Sequence, residues 1–239
     1  MRKSDIETGG SALYPTMLET PEYRWAFIRK VYAIIFVQLL ITAAVAFFVV
    51  HFHQIPKFVL HTWPGITVYV LSFLLSLAFM FLLFACHEYH PWNFLILGLF
   101  TVSFAFMVGL SCSFANGKII LEAVILTGVA VVGLTIYTFW AVRRGHDFSF
   151  LGPFLFSSLV MLIAFGLILA FFRMGKVSLM IYGFLGAFIF CGYIVYDTNE
   201  LIKNYTYDQY VLAAISLYLD IVNLFVNILS LLINSDADS

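Results

Sequence analysis

The sequence predicts an all-α polytopic membrane protein, a bundle of seven transmembrane helices, and two observations carry this prediction. First, 63% of the 239 residues are hydrophobic, only 10% are charged and the mean hydropathy is +1.01, whereas about a quarter of an ordinary soluble domain is charged. Second, the apolar residues are gathered into stretches close to the ~20 residues that cross a hydrocarbon core of ~30 Å. A water-soluble surface cannot be built from this composition, so the chain requires a bilayer.

The chain divides into a polar tail and one transmembrane domain. Residues 1–24, which glycine and proline interrupt repeatedly, predict a mobile cytosolic tail. Residues 25–239 form the seven-helix domain, with spans at about 31–50, 66–86, 94–115, 118–140, 150–172, 177–198 and 210–233. The first stretch is too long for the apolar region of a cleaved signal peptide, so we expect it to be retained.

Each span ends at a polar separator with the residues of an exposed turn: 51–64, 87–93, 116–118, 143–147, 173–176 and 199–207. Short connections of this kind force neighbouring helices to run antiparallel. Basic residues predict which side is cytosolic, and those of the N-terminal side and of the fourth separator agree: Arg2, Lys3, Arg24, Arg29, Lys30, Arg143 and Arg144. The N-terminus is therefore predicted to be cytosolic, and the C-terminus to lie across the membrane unless the last segment is re-entrant.

Several function classes are excluded or disfavoured. A formal net charge of −1 provides no basic field for nucleic acid. The chain has no nucleophile elbow, phosphate-binding loop or dinucleotide fingerprint, so neither an enzyme nor a cofactor is predicted. His87 and His90 are spaced i, i+3 rather than the i, i+4 of a zinc-protease helix, which favours an interfacial loop over a metal site.

Three carboxylates lie within apolar spans: Glu122, Asp197 and Asp220. An unpaired Asp at the centre of a membrane helix costs about 2.5–3.5 kcal/mol on insertion scales, so such residues require an explanation. Glu122 lies close to the polar turn at 116–118 and can reach the interface, or it can be a structural or pathway acid.

Asp220 lies about 15 Å of helix rise into the last span. Asn223 and Asn227 follow it at i+3 and i+7, so the three side chains form one polar stripe that we expect to face other helices or water. This stripe is either an interhelical hydrogen-bond seam or a functional intramembrane site.

Asp197 closes the sixth span and can approach Asp220 if its helix continues past Tyr196 toward Leu201 and Ile202. Two carboxylates in contact share one proton and titrate as a coupled pair. Protonated, the pair closes a hydrogen bond between helices. Ionised, it repels itself and offers oxygen ligands to a hard cation such as Ca²⁺, so the pair can sense pH.

The chain resembles the Bax inhibitor motif family, in its plant-type Lifeguard branch, over essentially all of residues 20–233. The resemblance rests on Arg29–Tyr32 and Gln38–Thr42 at the first span, His90–Asn93 before the third, Glu122–Ala123 in the fourth and Gly192–Thr198 ending the sixth. The last motif is the most specific.

The resemblance implies a seven-helix fold whose C-terminal helix is central between two three-helix layers. It also implies a pH-sensitive calcium leak from intracellular stores, suppression of programmed cell death, and a paired-aspartate pH sensor at Asp197 and Asp220. The second span lacks an arginine partner for these aspartates, so Arg24, Arg29 and Lys30 are the candidate basic partners.

Three hypotheses follow: a pH-gated calcium leak channel, a non-conducting regulator that binds channels or receptors, and a proton-coupled cation exchanger. The expected partners are the lipid bilayer, calcium ions and membrane proteins of cell-death or receptor signalling. The endoplasmic reticulum, Golgi and vacuole are the expected membranes, with the plasma membrane as an alternative.

Overall fold

The computed structural model describes residues 13, 21–52, 54–86, 92–172 and 175–236. They form eight α-helices, with a short 3₁₀ turn over Tyr207–Gln209: α1 Pro21–His51, α2 Gln54–His61, α3 Trp63–Cys86, α4 Trp92–Cys112, α5 Gly117–Arg143, α6 Leu151–Phe172, α7 Lys176–Lys203 and α8 Tyr210–Asp236. All but α2 are long and apolar enough to cross a membrane. Within these ranges there is no β-strand, so the predicted all-α seven-span class is confirmed.

Helix α1 begins about ten residues before the predicted first span. Pro21 takes the first helical position, where its missing N–H costs no hydrogen bond. The first turns are polar on one side and buried on the other, where Arg24 and Phe27 lie, so hydropathy alone does not mark them. Leu13 is only 1% exposed and belongs to the main hydrophobic core. Of the predicted mobile cytosolic tail, only Leu13 and 21–24 are described, and residues 1–12 and 14–20 lie outside the described residues. The mobility and the cytosolic side of this segment stay predictions.

The separator predicted at 51–64 as an exposed turn contains helix α2. The backbone can return tightly into α3 because Gly65 has no side chain, and a Cβ there would overlap the carbonyl oxygen of Phe58. The predicted histidine loop 87–90 and the separator residues 173–174 lie outside the described residues.

Helix α8 is the most buried span. Of the residues in its apolar stretch, 61% are buried, compared with 11–44% in the other six spans. It packs against α1, α4, α5 and α7. Its contact with α7 is close because Gly183 and Gly186 of α7 face Asn227, as small residues permit in membrane helices. The arrangement of the other helices as two three-helix layers stays a prediction.

Candidate functional site

The candidate site lies where α7 and α8 meet. Helix α7 continues to Lys203, which confirms the continuation past Tyr196 on which the predicted approach of Asp197 to Asp220 depends. Only three residues, 204–206, and the 3₁₀ turn separate the two helices. This short connection makes them antiparallel neighbours, so Asp197 near the end of α7 comes level with Asp220 in α8.

The carboxyl groups of Asp197 and Asp220 lie within hydrogen-bonding reach of each other. Asp220 is only 6% exposed, and Asp197 is half-buried. Within the described part of the chain, Oδ2 of Asp220 has no hydrogen-bond donor. A carboxyl pair so placed is most stable when it holds one proton, because the proton replaces a repulsion with a hydrogen bond.

Further acidic and phenolic groups surround the pair. Tyr193 and Tyr205 lie within electrostatic range of both aspartates, and Glu200 within range of Asp197. Burial raises the pKa of the Tyr205 hydroxyl, in the connection outside the spans, to about 12. Tyr205 therefore keeps its proton at every physiological pH, and its oxygen lies 3.4 Å from Oγ of Ser216.

The predicted polar stripe is present on α8, but its amides are bound within their own helix. Nδ2 of Asn223 donates to the carbonyl of Leu219 at 2.8 Å, and Nδ2 of Asn227 donates to that of Asn223 at 2.8 Å. Asn227 is buried against α7, and Asn223 is half-buried. Each amide therefore keeps its oxygen and a second N–H for contacts across helices.

Glu122 lies away from the pair, one turn into α5. Its carboxylate is 3.8 Å from Nζ of Lys118, with the two side chains 46% and 86% exposed, in an i, i+4 surface pair. This geometry matches the interfacial interpretation of Glu122, since a helix start favours a negative charge.

The three candidate basic partners make their contacts elsewhere. Arg24 is 3% exposed and donates from Nη1 to the carbonyl of Tyr205 at 2.6 Å. Arg29 donates from Nε to the carbonyl of Trp25 at 3.3 Å, and Nζ of Lys30 lies 3.2 Å above the ring of Tyr210. In the described ranges none of the three forms an ion pair with either aspartate. Arg24 instead ties α1 to the connection that precedes α8.

A polar network that the sequence did not reveal fixes the end of α7 to the loop between α5 and α6. Nδ2 of Asn199 lies 3.3 Å from both Oδ1 of Asp147 and Oγ of Ser149, and Nζ of Lys203 is 3.3 Å from Oδ1 of Asp147. The loop turns through Gly145, whose φ of 88° favours glycine. We call Asp147, Ser149, Asn199 and Lys203 the loop network; it holds α7 only two residues beyond Asp197.

A neutral polar layer, also missed from the sequence, lies on the side of α8 that faces α1 and α4. Oγ1 of Thr42 donates to the carbonyl of Gln38 at 2.8 Å, so it accepts from the hydroxyl of Tyr218 at 2.8 Å. Nε2 of Gln38 donates to Oγ1 of Thr101 at 3.1 Å. All four side chains are buried. Neutral polar residues lower the mean hydropathy of an apolar span only slightly, so the sequence does not single them out. Only the tertiary structure shows that they contact one another.

The metal-binding capacity of the site is small. Over the residues that the structure describes, no group of three or more His, Cys, Asp or Glu side chains could hold a metal ion. Asp197 and Asp220 alone offer at most four carboxylate oxygens, whereas Ca²⁺ takes six to eight oxygen ligands. The two carboxylates alone therefore cannot complete the coordination of a bound Ca²⁺ ion.

Comparisons with known proteins agree with the fold. Residues 24–237 match the family model described as inhibitor of apoptosis-promoting Bax1. The chain is 55% identical to "Protein LIFEGUARD 2" of Arabidopsis thaliana over 97% of both chains. It is 37% identical to "Protein lifeguard 4" of Mus musculus and 38% identical to the "Golgi anti-apoptotic protein" of Vaccinia virus (strain Lister), in each case over 87% of this chain and 85% of the relative.

Proposed function

Since the chain belongs to the Bax inhibitor family and to its Lifeguard branch, we propose that it is a pH-sensitive calcium leak channel of an intracellular membrane. In this role it suppresses programmed cell death and stress signalling. The family is one of anti-apoptotic membrane proteins, and it is not a known enzyme family.

The observation that carries the proposal is the carboxyl pair of Asp197 and Asp220, held between two membrane-spanning helices. While the pair shares a proton, its hydrogen bond joins α7 to α8 and the pathway is closed. Loss of that proton leaves two like charges in contact, and their repulsion favours separation of the helices. The leak should therefore increase as pH rises through the titration of the pair.

Calcium is supported as the cargo by the chemistry of the same groups. Carboxylate oxygens are ligands for hard cations, and the amide oxygens of the α8 stripe are of the same class. Two carboxylates bind a Ca²⁺ ion incompletely, and water must complete its coordination. Weak, partly hydrated binding is what conduction requires, because an ion that binds tightly does not leave.

The cellular setting is proposed from charge and from a relative. The basic residues near α1 and after α5 favour a cytosolic N-terminus. The viral relative is named for the Golgi, which supports an endomembrane such as the Golgi, endoplasmic reticulum or vacuole. Protease protection of N-terminal and C-terminal tags in sealed microsomes tests this topology: a protected N-terminal tag would overturn it.

The deciding experiment measures calcium flux from proteoliposomes of purified protein between about pH 5 and about pH 8. Groups whose pKa values are perturbed by their surroundings can change charge in this range. We expect the native flux to rise with pH, and the Asp197→Asn and Asp220→Asn variants to lose that dependence. Glu122→Gln is the matched control, because it removes an acid of the same membrane domain that lies outside the pair, and it should behave as the native chain.

Each contrary result has a distinct meaning. Folded protein without flux at any pH would overturn the leak and favour a non-conducting regulator of channels or receptors. Calcium flux accompanied by stoichiometric proton counter-flow, detected with a pH dye inside the liposomes, would favour the exchanger. Unchanged pH dependence in both Asn variants would remove the pair from the gate.

A further inference from the structure

The lipid-facing side of α6 and α7 contains a long cleft. The two helices touch near the membrane edge, where a Cβ on Gly152 would lie 3.1 Å from the ring of Tyr196. They touch again deeper, where a Cβ on Gly166 would lie 3.2 Å from the ring of Tyr182. They also approach between these two points, where a Cβ on Gly192 would lie 2.7 Å from Cδ2 of Leu155. Beside this contact the helices line an open cavity of about 670 Å³. These contacts hold α6 and α7 at their present separation.

The lining of the cleft is apolar. Leu162 and Ile189 line it from α6 and α7, and Leu134 of α5 contributes to its wall. Ser158 contributes a hydroxyl group to the lining, but this hydroxyl already donates a hydrogen bond to the carbonyl of Phe154 at 2.8 Å. A space of this chemistry offers water no partners and stays dry, yet an empty one would forfeit the dispersion contacts of its whole lining.

The position of the cleft identifies what fills it. Phe154 and Phe188, both lining residues, are 62% and 69% exposed on the surface that the bilayer covers, so the cleft is open to hydrocarbon. The distance from Gly152 to Gly166 along α6 is about 21 Å of helix rise, compared with about 15 Å for one leaflet of a ~30 Å core. The cleft therefore runs from the membrane edge next to the loop network through a full leaflet.

We propose that this cleft is a binding site for one acyl chain of a phospholipid from that leaflet, held between the two Gly–Tyr contacts. A flexible chain can follow a space that is long and parallel to the helices, and its volume lies in the ~300–1,000 Å³ range of ligand sites. The site goes beyond the calcium pathway and does not rest on it, since its lining shares no residue with the aspartate pair.

The test uses a phosphatidylcholine with a photoactivatable diazirine on its acyl chain, reconstituted with the full-length protein and mapped by peptide mass spectrometry. We expect adducts near Phe154 and Ile189 several-fold above those near Val129, a 70% exposed residue of α5 that does not line the cleft. Ser158→Phe should abolish this excess by filling the cleft. Ser157→Phe is the matched control, because Ser157 is the exposed neighbour on the same helix and also donates to a carbonyl of its own helix.

Equal labelling of the cleft and of the Val129 face in the native chain would overturn the site, because it would describe ordinary exchanging lipid. Persistence of the excess in folded Ser158→Phe would also overturn it. A photoactivatable sterol that labels the cleft and displaces the phospholipid probe would overturn the phospholipid assignment. Should Ser158→Phe fail to fold, the label distribution on the native chain decides alone.

Discussion

The hydrogen bond between Tyr218 and Thr42 predicts an asymmetric pair of destabilising mutations. Thr42 gives its own proton to the carbonyl of Gln38, so Tyr218 must be the donor in the 2.8 Å contact between the hydroxyls. Tyr218→Phe removes the donor, and the remaining hydroxyl of Thr42 still has its acceptor. Thr42→Val removes the acceptor and leaves the Tyr218 hydroxyl, which is 0% exposed, with no partner in this contact.

The magnitudes follow from this difference. The net contribution of one hydrogen bond is about 0.5–1.5 kcal/mol, which sets the expected cost of Tyr218→Phe. A buried donor left unsatisfied costs about 1–3 kcal/mol, which sets the cost of Thr42→Val. In the double variant the two apolar side chains meet, so its cost should fall below that of Thr42→Val alone. The coupling energy should be about 1 kcal/mol.

The measurement is the free energy of unfolding in bicelles or mixed micelles by denaturant titration, followed by tryptophan fluorescence. Thr127→Val is the control. Thr127 is also buried, and its hydroxyl donates to a carbonyl of its own helix, that of Ala123, at 2.7 Å. Its substitution should cost little and add to that of Tyr218→Phe. Additivity of the Thr42 and Tyr218 substitutions, or a larger cost for Tyr218→Phe than for Thr42→Val, would refute the assignment of donor and acceptor.

Two further predictions concern packing and pH. Gly183→Ala should reduce the free energy of unfolding by about 1–3 kcal/mol, because its Cβ would lie 2.9 Å from the backbone carbonyl of Asn227; Gly128→Ala, with nothing within 4 Å, should be neutral or stabilising. The backbone N–H and hydroxyl of Ser149 and the cation of Lys203 lower the pKa of Asp147 to about 2, so its stabilisation is complete above about pH 4 and declines as pH falls toward about 2. The free energy of unfolding measured across that range should therefore fall less steeply with acid in Asp147→Asn than in the native chain. Parallel curves for the two proteins would contradict the role of the loop network.

The membrane class was accessible from sequence because hydrocarbon imposes a length and a composition on each span. The approach of Asp197 and Asp220 was also predictable, since a carboxylate in an apolar run stands out and helix rise fixes its depth. The start of α1 was not, because polar side chains such as Arg24 lower the mean hydropathy of its first turns even where they are buried.

The contacts of neutral and loop residues were beyond reach for a different reason. The sequence shows only that polar residues occur in apolar helices at Gln38, Thr42 and Tyr218. Which residues they bond to depends on how the helices are rotated about their axes. The same holds for the loop network, where Asp147 and Asn199 are 52 residues apart in sequence. The sequence likewise shows the charge of Arg24 but not that its guanidinium donates to the carbonyl of Tyr205.

Tyr218 and Asp220 lie two positions apart on α8 and therefore point to nearly opposite sides of it. One is bonded to Thr42 of α1, and the other meets Asp197 of α7. A rotation of α8 that separated the carboxyl groups would also strain the hydrogen bond of the Tyr218 hydroxyl on the opposite side of the helix. By linkage, a ligand whose affinity for α1 depended on the protonation of the carboxyl pair would change the proton affinity of that pair by the same factor.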